Sequence, residues 1–423
     1  MGARLLTGHP GLLENIAERA GTPVYVYDAE AIRAQYRALD GALGAVPHRL
    51  FYSVKASSNL AILSLLRSLG AGADVVSQGE IERALRAGFA PDDIVFSGVG
   101  KTEQELRRAL EVGIRSINVE SFAELQQLDG IARDMGKTAA FGIRVNPDVM
   151  TETHPYTRTG DAGAKFGVPL EQIGPMGAFA LASDHVQLES VGMHIGSQIL
   201  DAESYREGAE RLARLVEDLR AIGVTTLRNV DVGGGLGIRY TSEVPLDPNA
   251  FAGAVKPLSE ATGLEVAAEP GRFIVGNAGL LLTRCLYRKR MGKVFVIVDA
   301  AMNDFLRPSL YDATHDIAVV GRPAEGGASG ELVDVVGPVC ESGDFLGLDR
   351  DLPAAEPGAL LAISGAGAYG FTMSSTYNSR PRVAEVLVDG EQWTTVRERD
   401  SLEDLMRGER TIEEIDSNEA WVQ

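Results

Sequence analysis

The regular alternation of short apolar runs with segments of helical periodicity constrains this chain most. Apolar or β-branched runs stand at 49–56, 73–77, 94–98, 116–121, 141–146, 188–196, 227–235 and 263–272. Between them, apolar residues recur at helical spacing: Leu60, Leu63, Leu66 and Leu69, then Leu106, Leu110 and Val112, then Leu212, Leu215 and Leu219. Strands alternating with helices imply a parallel sheet, because each crossover helix must cover a sheet face. Eight such units within residues 49–272 suit a closed (β/α)8 TIM-type barrel of roughly 250 residues better than an open doubly wound sheet.

After about residue 280 the texture changes. KVFVIVDA (293–300), ELVDVVG (331–337), ALLAIS (359–364) and RVAEVLVDG (382–390) are separated by Gly, Pro and Asp clusters, as in an antiparallel β domain. TPVYVYD (22–28) reads as a strand that pairs with that later domain. The expected organisation is an α/β barrel over 29–280 and a mainly antiparallel β domain from 1–28 and 281–423, ending in a short amphipathic helix within DSLEDLMRGERTIEEID.

Composition narrows the partners. A net charge of −19 opposes phosphate backbones, which argues against nucleic acid while leaving room for a local basic pocket. Cys285 and Cys340 are the only cysteines, too few for a disulfide framework and suited to a reducing cytoplasm. The N-terminal stretch lacks the pattern of a signal peptide, and Leu6 stands where myristoylation needs Ser or Thr. No run of 18 apolar residues suggests a membrane span. The expectation is a cytoplasmic protein.

Two nucleotide motifs fail. VFSGVGKT (95–102) puts Val95 where a P-loop needs its first glycine, and GGGLGI (233–238) puts Ile238 where G-x-G-x-x-G needs its third. The unusual residues instead follow barrel strands, where barrel enzymes place their chemistry. Lys55 ends the first, His194 the sixth, Gly233, Gly234 and Gly235 the seventh, and Glu269, Pro270, Gly271 and Arg272 the eighth. A desolvated Lys55 would have a lowered pKa and could form a Schiff base with an aldehyde. Three glycines bare their N–H groups to wrap a phosphate, and Ser197 could donate to it. Glu269 could hold a pyridine nitrogen protonated, and His194 could stack on a planar cofactor. No second His or Cys stands near His194 at ligand spacing, so no metal is expected. Cys340, in VCESGDFL, reads by default as an inert thiol.

FYSVKASSN, HIGSQ, DVGGGLG, AEPGRFIVG, NDFLRPSLY, VCESGDFL and GAYGFTMSSTYNSRPR, in this order over residues 51–382, resemble the diaminopimelate decarboxylases. That family joins a barrel to a β domain and uses pyridoxal 5′-phosphate. The resemblance implies Lys55 as the Schiff-base lysine, Cys340 as proton donor and His194 against the ring. Cofactor contacts would fall to Lys55, His194, Ser197, Gly234, Gly235, Glu269, Pro270, Gly271, Arg272 and Tyr369. Arg272, Arg307, Tyr311, Glu341 and Tyr369 would hold the amino-acid substrate. It further implies a homodimer in which Cys340 and its neighbours reach the partner's site, and decarboxylation of meso-diaminopimelate to L-lysine.

Related barrel decarboxylases of ornithine or arginine face a distal cation, which wants carboxylates. Arg272 and Arg307 instead suit a distal carboxylate and Glu341 the ammonium beside it. A racemase would need a weaker partner than Glu269 for the ring nitrogen. A non-catalytic, decarboxylase-like regulatory protein should lack Lys55 or Cys340, and both are present.

Overall fold

The computed structural model describes residues 9–146, 165–321 and 330–415. Strand β1 (Val24–Asp28) precedes the barrel. The barrel strands are β2 (His48–Ser53), β3 (Gly72–Val75), β4 (Ile94–Phe96), β5 (Ser116–Val119), β6 (Ala139–Val145), β7 (Val186–Met193), β8 (Asn229–Asp231) and β9 (Glu265–Ala268). All neighbours pair in parallel, and β2 closes the ring on β9 with Leu50 opposite Ala268. Each of the eight apolar runs thus supplies one stave.

The helices between them start and stop for local reasons. Asn59, Ser77, Thr102, Ser121 and Asp247 each accept a bond from a first-turn N–H, and Thr102 with Glu105 forms a reciprocal capping box. Gly113 and Gly263 end their helices in the left-handed conformation. The buried residues follow the apolar stripe: Leu63 and Leu66, Leu106 and Leu110, Leu212 and Leu219 lie in the core, with Leu60, Leu69, Val112 and Leu215 at its margin.

The second domain contains β10 (Gly279–Met291), β11 (Lys293–Val298), β12 (Ile317–Val319), β13 (Glu331–Val336), β14 (Phe345–Leu352), β15 (Leu360–Ser364), β16 (Ala384–Asp389) and β17 (Gln392–Arg397). They form a mainly antiparallel sheet ordered β14-β13-β11-β10-β1-β16-β17, with β15 on β10 and β12 on β15. Strand β1 pairs antiparallel with β10 and parallel with β16, so the run before the barrel does belong to the later sheet. Both faces of β1 are buried. Tyr25 and Tyr27 join the barrel's core, while Val24 and Val26 join a second cluster beneath helix Pro10–Ala20, with Leu13, Ile16, Leu280 and Leu282. The C-terminal amphipathic helix shrinks to one turn, Leu402–Leu405, plus a 3-10 turn at Ile412–Glu414. Gly408, with φ of 85°, breaks the stretch between them. The stretch THPYTRTG (153–160) and most of GRPAEGGASG (321–330) lie outside the described residues.

Candidate active site

The sequence elements singled out above meet at one rim. β2 ends at Ser53 and runs into a 3-10 turn, Val54–Ala56, that carries Lys55. His194 follows β7 directly, the glycines follow β8 by one residue, and Glu269 follows β9 directly. Backbone bonds tie these turns together. Ser53 N donates to Pro270 O at 3.2 Å, Glu269 N to Gly233 O at 2.9 Å, and Tyr369 N to Ala56 O at 2.8 Å. Tyr369, from the second domain, is thereby fixed beside Lys55 in a left-handed conformation, φ 56°, which costs a side chain of this size roughly 1 kcal/mol or more.

The glycines cannot be replaced without movement. A Cβ on Gly234 would sit 2.2 Å from Glu269 O, and one on Gly235 would sit 2.5 Å from Gly196 O. Gly271 is less tight but still crowded, its Cβ position 3.0 Å from both Ala56 and Ser53 side chains. Gly233 N donates to Asp231 Oδ1 at 2.7 Å, which helps to hold this turn, and the Ser197 hydroxyl accepts a 2.7 Å bond from Arg272 Nη2.

Electrostatics divides the site in two. On the lysine side, Lys55 Nζ lies 3.8 Å from Asp74 Oδ2. Desolvation alone would lower the lysine, but Asp74, helped by Tyr369 and Glu269, outweighs it and raises the ammonium's pKa. The lowered lysine pKa expected from burial is therefore corrected: a buried carboxylate at the end of β3 reverses the sign. Burial, together with Asp231 and Asp74, pushes Glu269 well above the usual carboxylate range. Ser97 Oγ donates weakly to Glu269 Oε1, at 3.4 Å. Gly234 N donates to His194 Nδ1 at 3.1 Å. Burial, with Arg144 and Lys55 nearby, lowers His194 far below its ordinary value and keeps the imidazole neutral.

On the other side stand Arg272 and Arg307, each 6% exposed. Among the described residues neither meets a carboxylate at ion-pair distance. Arg272 instead donates to Tyr240 Oη and Ser197 Oγ and lies over the Tyr369 ring, 4.8 Å from its centroid. Among the described residues its Nε has no hydrogen-bond partner. Arg307 lies 5.0 Å from the Tyr240 centroid and 5.7 Å from that of Tyr311. Two buried cations that meet no carboxylate among the described residues form a pocket suited to an anion.

Cys340 and Glu341 do not join this cluster. Both are exposed, in a loop pinned by Asp344, which accepts from Met302 N and Val339 N at 2.7 Å. Cys340 N donates to Asn378 Oδ1 at 2.9 Å. Among the described residues no hydrogen bond or ion pair links Cys340 or Glu341 to Lys55, Glu269, Arg272 or Arg307.

The pyridoxal-dependent decarboxylase family, pyridoxal binding domain, matches residues 29–276. A diaminopimelate decarboxylase of Pseudomonas aeruginosa is 49% identical over 95% of both chains. That of Vibrio cholerae is 45% identical over 95% of this chain and 96% of its own. This chain belongs to the diaminopimelate decarboxylases. The crystal structure of the Helicobacter pylori enzyme complexed with L-lysine superposes with a TM-score of 0.89 at 44% identity, covering 93% of this chain and 98% of that one. The enzyme is a carboxy-lyase with the barrel-plus-sheet architecture of its family.

Several functional positions were not singled out in the sequence. Asp74, one residue before the end of β3, was findable by the same strand-end rule that pointed to Lys55. Tyr240 and His315 sit in loops with no flanking signature, and only the fold brings them to the arginines. Lys101 of the failed P-loop motif is a structural group, donating to Gly98 O, Asn118 O and Glu124.

Proposed function

We propose that this enzyme uses pyridoxal 5′-phosphate to release CO2 from meso-diaminopimelate and leave L-lysine, the closing reaction of lysine biosynthesis. The observation that carries the reading is the pair of buried arginines that meet no carboxylate among the described residues, at the rim that also carries Lys55 and the glycine turn. The residues fit the cofactor: Gly234 and Gly235 pack too closely against Glu269 O and Gly196 O to carry a Cβ, which keeps this turn free of side chains, and Arg272 Nε, without a hydrogen-bond partner among the described residues, is a spare donor for a phosphate.

Lys55 would hold the cofactor through Nζ, with Ser197, Gly234, Gly235, Pro270, Gly271, Arg272 and Tyr369 around its phosphate and ring. When bound, the pyridoxal ring supplies an electron sink for the pair left on the α-carbon as CO2 departs. Glu269 keeps its proton available for the ring nitrogen, a role that its raised pKa favours. Neutral His194 would lie against the ring of the bound cofactor without adding a competing charge. Arg307, with Arg272 and Tyr311, binds the distal carboxylate of the substrate, and a cation at that end, as in ornithine, meets repulsion. Cys340 Sγ then gives a proton to the carbon that lost its carboxylate, and Glu341 holds the distal ammonium. Both residues lie exposed and apart from their own chain's site, which supports a homodimer in which each subunit completes the other's. Two free cysteines, Cys285 and Cys340, support a reducing, cytoplasmic setting, and among the described residues no helix is long and apolar enough to cross a membrane.

Lys55→Ala should abolish both the absorbance of bound cofactor after gel filtration and CO2 release, with the fold intact by circular dichroism. Retention of both by the variant would remove Lys55 from the reaction.

A further inference from the structure

Among the described residues the two buried guanidinium groups have no carboxylate partner, and other groups hold them. Arg307 opens helix Arg307–Tyr311, and its Nε donates to His315 Nε2 at 3.3 Å. The other ring nitrogen, Nδ1, lies 2.9 Å from Ser364 O, at the end of β15. A carbonyl only accepts and a guanidinium only donates, so the tautomer is forced: Nδ1 carries the hydrogen and Nε2 the lone pair. His315 is fully buried. Its ring is held edgewise between Tyr240 and Phe305, with centroids 4.8 Å and 4.7 Å away. Tyr240 in turn faces both cations, accepting from Arg272 NH1 and lying under Arg307.

Every group in this support is neutral. A carboxylate in the place of His315 would pair with Arg307 and spend its charge inside the protein. A neutral acceptor fixes the guanidinium plane and leaves the charge for an incoming anion. We propose that His315, backed by Tyr240, is a positioning residue that sets Arg307 for the distal carboxylate of the substrate, an inference that rests on the reading of Arg307 as a substrate ligand. Burial and the adjacent Arg307 hold the imidazole down to about 3, so it stays neutral at working pH.

The test is steady-state kinetics of the holoenzyme with meso-diaminopimelate for the parent, His315→Leu, His315→Gln, Arg307→Ala and the double variant His315→Leu/Arg307→Ala. Losing one hydrogen bond to a charged group should raise KM for His315→Leu about 10-fold, with kcat within about threefold and bound-cofactor absorbance unchanged. Gln can accept from Arg307 and donate to Ser364 O, so His315→Gln should return KM to near the parent value. The double variant should be no worse than Arg307→Ala alone, because the histidine acts only through that arginine. A parent-like KM for His315→Leu, with KM raised in Arg307→Ala, overturns the inference and leaves the role of Arg307 standing. An unchanged KM in Arg307→Ala removes Arg307 from the site, and the inference with it. Equal loss of kcat, KM and cofactor binding in both His315 variants makes the residue purely structural, which also overturns the proposal.

Discussion

At the residue scale the site works by setting charge states rather than by accumulating charges. Asp74 keeps Lys55 cationic, burial with Asp231 and Asp74 close by raises Glu269, and burial keeps His194 and His315 neutral. Such states affect stability as well as chemistry. His315 binds its proton in the unfolded chain near pH 6.5 but in the folded one only near 3. A depressed histidine therefore contributes stability that is full above 6.5 and is lost as pH falls toward 3. Between pH 7 and pH 5 the loss from this residue is about 2 kcal/mol. His315→Gln removes that titration, so its denaturant midpoint should fall less than the parent's over this interval, with His194 contributing equally to both proteins. Identical pH slopes for parent and variant would contradict a neutral buried His315.

At the element scale the turns after β2, β7, β8 and β9 matter more than the strands themselves. Gly234 lies against Glu269 O, so the glycine turn and the residue proposed to face the ring share one wall. Gly234→Ala must push that wall outward. We expect a folded protein whose affinity for pyridoxal phosphate drops at least about tenfold, since one or two kcal/mol of displacement suffices, measured by equilibrium titration of cofactor absorbance. Parent-like affinity would show that the glycine turn does not hold the phosphate. The positions of these turns were legible in the sequence because apolar strands mark their own ends, and Lys55, His194, Gly234, Gly235 and Glu269 all fall just past one. The arginine support was not legible. Tyr240, Arg307 and His315 lie on irregular segments from both sides of the domain junction, and no periodicity relates them. The sign of the Lys55 shift was misjudged for the same reason, because it depends on a neighbour one strand away.

At the scale of the whole molecule, the sheet domain both covers the barrel rim and presents its own loop outward. Arg307, Tyr311 and Tyr369 cluster with Arg272 and Tyr240 of their own chain, while Cys340 and Glu341 are exposed and, among the described residues, share no hydrogen bond or ion pair with that cluster. A dimer of the proposed kind makes each site a composite. Lys55→Ala and Cys340→Ala, each inactive alone, should therefore regain about a quarter of parent activity when dissociated and remixed in equal amounts, since half of the dimers are mixed and each mixed dimer has one intact site. No recovery, with mixed dimers shown to form, would place the thiol in its own subunit's site or outside the reaction.

The central claim is that a carboxylate-free arginine pocket selects a substrate ending in a second amino acid. It is tested most directly by incubating the pyridoxal phosphate-loaded enzyme separately with meso-diaminopimelate, ornithine and arginine, and identifying the amine released with CO2. Lysine from diaminopimelate alone is the predicted result. Putrescine or agmatine at comparable rates would contradict the arginine pocket, and no CO2 from any of the three would contradict the decarboxylase reading itself.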